Sequence, residues 1–186
     1  MRRGVNFAGS LIALFLATDA VAQDTCLSKI PADLAAQLRR EFPNHVLPRV
    51  SDNDQVYVRF EKSQGRNGCL GVARGDFDGN HQLDIAVLLS VDGGNDVKLI
   101  AALRRGRTWA LFDLPFWCSH RTDCFVERGR LGTFERHISF DGPLTHPDER
   151  KSMTTRLPVI VAGKLESTGI AYAFSNGKWS FVWFSG

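Results

Sequence analysis

The stretch Asp76-Phe77-Asp78-Gly79-Asn80-His81-Gln82-Leu83-Asp84 places oxygen-bearing side chains at alternate positions, Asp76, Asp78, Asn80 and Asp84. The backbone carbonyl of Gln82 fills the remaining place in that rhythm. A hard cation such as calcium takes about six to eight oxygen ligands at short range, and a tight loop of this kind supplies them. Three carboxylates this close also repel one another unless a cation sits among them. A polar turn is the competing account, because Asp and Asn side chains bond their own backbone without a metal. An EF-hand is excluded: the twelfth position of the loop is Val87, where a bidentate glutamate would be needed.

The run resembles the calcium loop of the FG-GAP and VCBS repeat families, roughly Asp-x-Asp/Asn-x-Asp-Gly-x-x-Asp ahead of an apolar strand. Carried over residue by residue, the resemblance implies calcium held by Asp76, Asp78, Asn80, the Gln82 carbonyl and Asp84, inside a strand–loop–strand hairpin. Asn80 stands where a third carboxylate is usual, which lowers the charge and weakens affinity. His81 replaces the glycine of the sharp turn, at a position that favours positive φ, and histidine adopts that conformation at a cost. The Phe-Gly and Gly-Ala-Pro elements are absent and the loop occurs once, whereas propellers repeat it blade by blade. The layout as a whole, down to a carboxyl-terminal Asn-Gly hairpin with tryptophans, is similar to small exported bacterial proteins, a general likeness that implies no activity.

Motifs for catalysis are thin. His45, His81, His120, His137 and His146 are scattered, without His-Glu-x-x-His or a zinc-like spacing. Cys118-Ser119-His120 sets a thiol near an imidazole, but an exported cysteine is more often oxidised than nucleophilic. Glu127 with Glu135, or Glu41 with Glu61, would make a glycosidase-like pair only if the fold brought them together. Arg104-Arg105-Gly106-Arg107 reads as a charged hairpin tip. Trp179, Phe181 and Trp183 share one face of a strand, which is a core stripe or, if exposed, a platform for glycan or protein.

These residues need a scaffold and a compartment. Met1-Arg2-Arg3, the apolar run Leu11–Ala17 and Ala20-Val21-Ala22 form a signal peptide over residues 1–22, leaving a single disulfide-bonded, β-rich domain over 23–186. Cleavage removes Arg2, Arg3 and Asp19, so the net charge of +3 falls to about +2, too little to argue for nucleic acid. No later stretch is a transmembrane segment. The four cysteines, Cys26, Cys69, Cys118 and Cys124, allow three pairings, and the short polar turn before Cys124 favours Cys118–Cys124 with Cys26–Cys69.

One amphipathic helix is expected from Pro31 to Phe42, with Leu34, Leu38 and Phe42 on its inner face. Strands are expected at 56–60, 69–75, 83–91, 97–103 and 108–114, then at 124–127, 133–139, 157–162, 169–174 and 178–184. The last two flank Asn176-Gly177, the strongest hairpin signal in the chain. The fold class is α+β, mostly antiparallel β, with the N-terminal helix packed on a β-meander sheet and no full propeller. The expected role is a periplasmic or secreted, calcium-stabilised, non-enzymatic domain that binds an unidentified protein or glycan partner or supports the envelope. A periplasmic inhibitor or ligand-binding module is the alternative, and a secreted hydrolase a more distant one.

Overall fold

The structure is a computed structural model that describes residues 24–184 apart from 92–94, 141 and 168; the leader expected over 1–22 lies outside them. Helix α1 (Ala32–Glu41) is followed by the short strand β1 (His45–Val46) and helix α2 (Gln55–Ser63). Next come β2 (Val72–Gly75), β3 (Asp84–Val91), β4 (Val97–Arg105) and β5 (Thr108–Leu114). The second half holds β6 (Cys124–Gly129), β7 (Gly132–Glu135), β8 (Ser152–Thr155), β9 (Val159–Lys164), β10 (Gly169–Ser175) and β11 (Lys178–Phe184). All named strand pairs are antiparallel.

Strand β3 is apolar on both faces, and both are covered. Ile85, Val87 and Leu89 pack with Leu34 and Leu38 of α1, while Ala86 and Leu88 join Ile160, Ile170 and Tyr172 of a second sheet. The first sheet runs β1-β3-β4-β5 with β2 also on β3; the second runs β11-β10-β9-β6. The β7–β8 ribbon lies on the far face of the second sheet, where Phe134 meets Val161, Ala171 and Val182. A helix of ten residues is marginal alone in water, so α1 is held by burial of Leu34 and Leu38, each contributing roughly 1.5–3 kcal/mol. The result is a mostly antiparallel α+β fold with its helix on a meander sheet, and neither main sheet closes into a barrel or propeller blade ring.

The structure corrects one expected strand. Val56-Tyr57-Val58-Arg59-Phe60 belongs to α2, in which Asp54 caps the first turn by accepting from the Val56 N–H at 2.7 Å. Only Val58 of its apolar residues is buried; Val56 and Phe60 face solvent. Alternation that reads as a half-buried strand has no neighbouring strand to pair with here, and the cap decides for helix. Pro158 marks a strand start rather than an edge, since β9 lies between β10 and β6. At the β10–β11 turn, Asn176 and Gly177 take φ of 50° and 77°, as the tight hairpin requires.

Cys26 bonds Cys69, and Cys118 bonds Cys124. The first ties the segment before α1 to the run into β2; on the loop-entropy account it stabilises by roughly 4 kcal/mol and the short one by roughly 2.5. The outer edge of β11 is covered by an irregular segment. The Phe181 N–H donates to Asp148 O at 3.0 Å, and the Arg150 N–H donates to Phe181 O at 2.8 Å. Glu149, fully buried between them, meets Arg136 at 2.9 Å through one oxygen and accepts from Thr145 N–H and Oγ1 through the other.

Candidate metal centre

Register in the β2–β3 hairpin sets Gly75 opposite Asp84, so the acidic run closes over the end of a buried strand. The loop is folded by its own carboxylates. Asp76 accepts from the Gly79 N–H at 2.8 Å and the His81 N–H at 2.9 Å; Asp78 accepts from the Asn80 N–H at 3.1 Å. Asp84, with no exposure, accepts from the Phe77 N–H at 2.8 Å and from the Arg104 N–H at 2.7 Å. His81 takes φ of 63°, a left-handed conformation that a residue other than glycine adopts at a cost.

Asp76, Asp78 and Asp84 each offer an oxygen, and these lie within 4.8 Å of one another. Oxygens sharing one calcium at about 2.4 Å can be no further apart than roughly twice that distance, so the three carboxylates have the right span. Asn80 Oδ1 accepts from the Gln82 N–H at 2.7 Å, and its Nδ2 donates to Arg104 O at 2.8 Å. Its amide therefore braces the turn, with one lone pair of Oδ1 left for a ligand. Gln82 reaches the β4–β5 turn with its side chain, accepting from the Gly106 N–H at 3.1 Å. Burial pushes the Asp84 carboxyl up to about 6; the charges of Asp78 and Asp76 add to the rise, and the two backbone donors oppose it.

The arginines at 104 and 105 do more than solubilise a hairpin tip. Arg105 forms an ion pair with Asp78, whose side chain is nearly inaccessible, while the guanidinium itself remains 41% exposed. Arg104 bonds Asp33 of α1 at 2.6 Å and lies over the Trp109 ring at 4.6 Å; the Trp109 indole N–H donates to the same Asp33 carboxylate at 3.0 Å. Loop, β4–β5 turn and helix are thus one connected polar unit. Sequence reading missed this because the partners are far apart in the chain.

Other candidates sort quickly. Cys118 is disulfide-bonded and offers no thiol nucleophile. Trp179 and Phe181 are core residues, while Trp183 stacks between Phe140 and the half-exposed Trp117. Glu127 and Glu135 line one groove of about 650 Å³ with Phe125 and Phe134. Burial first, and Glu61 beside it, push the Glu127 carboxyl up. Among the described residues no helix is long and apolar enough to cross a membrane. Comparison with family models, with curated proteins and with solved structures found no match for this chain.

Proposed function

We propose that this chain is an exported, calcium-stabilised, non-enzymatic domain that binds a partner or supports the cell envelope. Asp76, Asp78 and Asp84 hold the ion, with Asn80 and the Gln82 carbonyl completing the set. The observation that carries the reading is the convergence of three carboxylate oxygens within 4.8 Å over a buried strand end. Export accords with the two disulfides, which persist in oxidising compartments. The ion would act as a clip: it neutralises the carboxylates and fixes the hairpin against the β4–β5 turn, leaving recognition to other surfaces. Thermal melting with millimolar calcium against excess chelator tests this. A rise with calcium that Asp78→Asn abolishes supports the reading; no shift, together with no calcium in elemental analysis of the folded protein, defeats it.

The hydrolase reading draws on one observation, the shared groove of Glu127 and Glu135. Turnover of aryl glycosides that disappears in Glu127→Gln would replace the non-enzymatic assignment.

A further inference from the structure

A concave cavity of about 590 Å³ opens beside strand β1, lined by Arg39, Arg49, Arg121, His45, Asp52 and Leu47 among others. Three arginines from separate segments line one space, although the whole chain carries a net charge of only +3. The carboxylates nearby are already engaged. Asp52 pairs with Arg121; Asp24 accepts from the Cys26 N–H at 2.8 Å and the Val50 N–H at 3.0 Å. Asp96 lies 3.8 Å from His45 Nε2 and is mostly exposed.

Arg121 is anchored as a wall of the cavity, donating to Ser90 Oγ at 2.6 Å and to Leu47 O at 3.1 Å. Burial lowers its guanidinium below the ordinary value, against the opposing pull of Asp52. Arg39 and Arg49 are exposed, and no side-chain ion pair engages them among the described residues. His45 is only 11% exposed, and neither ring nitrogen has a hydrogen-bond partner among the described residues. Leu47 and Val46 give the same cavity an apolar side.

We propose that this cavity binds a small organic oxyanion, a carboxylate or phosphate monoester carried on a body of about monosaccharide size. Arg39 and Arg49 grip the oxyanion as guanidinium forks, and His45, a lining residue whose ring nitrogens are closed off from solvent, senses occupancy of the cavity. A cationic concave site with one apolar wall selects such anions over their neutral counterparts by charge and by shape.

The test is a titration of the full mature protein with glucuronate, glucose 6-phosphate and glucose, each to roughly 10 mM, read at the His45 imidazole resonances by NMR. It is run in chelator, so the outcome does not depend on calcium. At least one acid is expected to move the His45 signals, glucose leaving them in place; which acid does so tells carboxylate from phosphate. Arg39→Gln and Arg49→Gln are each expected to weaken binding by about tenfold, with unchanged circular-dichroism melts because both side chains are exposed. The proposal falls if neither acid moves His45, if glucose moves it equally, or if the folded double variant binds as tightly as the parent.

Discussion

Asp84 and Glu149 are both carboxylates without solvent exposure, and the fold treats them in opposite ways. Glu149 comes with its own cation and donors. Burial alone would raise its carboxyl, but the two Thr145 hydrogen bonds and Arg136 outweigh burial and hold it below the ordinary value. Asp84 has only backbone N–H donors and stands beside two more carboxylates, so burial wins and its carboxyl rises to about 6. Arg105 is spent on Asp78 from an exposed position. One site carries its own counter-charge. The other carries an excess of negative charge that a divalent ion would cancel.

The largest effect is expected where the paired site is broken. Arg136→Ala leaves a buried carboxylate without its cation and should cost roughly 3–5 kcal/mol in urea denaturation, in calcium and chelator alike. A loss below about 1 kcal/mol would mean that Glu149 is protonated or hydrated and the contrast with Asp84 is smaller than drawn.

Next in size is the acidic site. Calcium at about a hundred times its dissociation constant should stabilise the parent by roughly 2.7 kcal/mol, while Asp84→Asn should lose most of that gain. Equal stabilisation of parent and variant would place the ion elsewhere.

Acid separates the two carboxylates by sign. Glu149 has a depressed folded value, so its contribution is present above its ordinary value of 4.5 and is lost as pH falls through the lower folded value. Asp84 has a raised folded value, so its contribution is present below 3.8 and is lost as pH rises towards about 6. In chelator, Asp84→Asn should therefore flatten a decline in stability between those two values. A parent curve already flat over that window in chelator would remove the claimed deficit at Asp84.

The smallest effect is expected from Arg105→Gln. An exposed partner contributes under about 1 kcal/mol without calcium. Removing its competing charge should nevertheless enlarge the calcium-induced melting shift; a reduced shift would make Arg105 part of the ion site's support rather than its rival.

The acidic loop was readable because its spacing is local: alternate oxygens within one turn need no knowledge of the rest of the chain. The helix at Leu34–Leu38, the β4–β5 meander and the Asn176-Gly177 hairpin were readable for the same reason. What local pattern could not reveal is what meets across the fold. Arg104 finds Asp33, and Arg136 finds Glu149 within a segment that has no periodicity. The error at Val56–Phe60 has a related cause, since alternation predicts a strand only if another strand lies alongside. Strand β3, apolar on both faces, had to be covered on both, yet that a second sheet supplies one of the covers became visible only with the fold.

The Arg136–Glu149 pair also governs how the molecule behaves in a crowd. It pins the segment that occupies the free margin of β11, a strand of seven residues that includes Trp179, Phe181, Trp183 and Phe184. An uncovered margin rich in aromatic residues is a template on which a second molecule can add its own strand. A single buried ion pair thus guards that margin, and only acid strong enough to take Glu149 through its depressed value, below 4.5, should free the margin and let molecules add to one another as growing polymers.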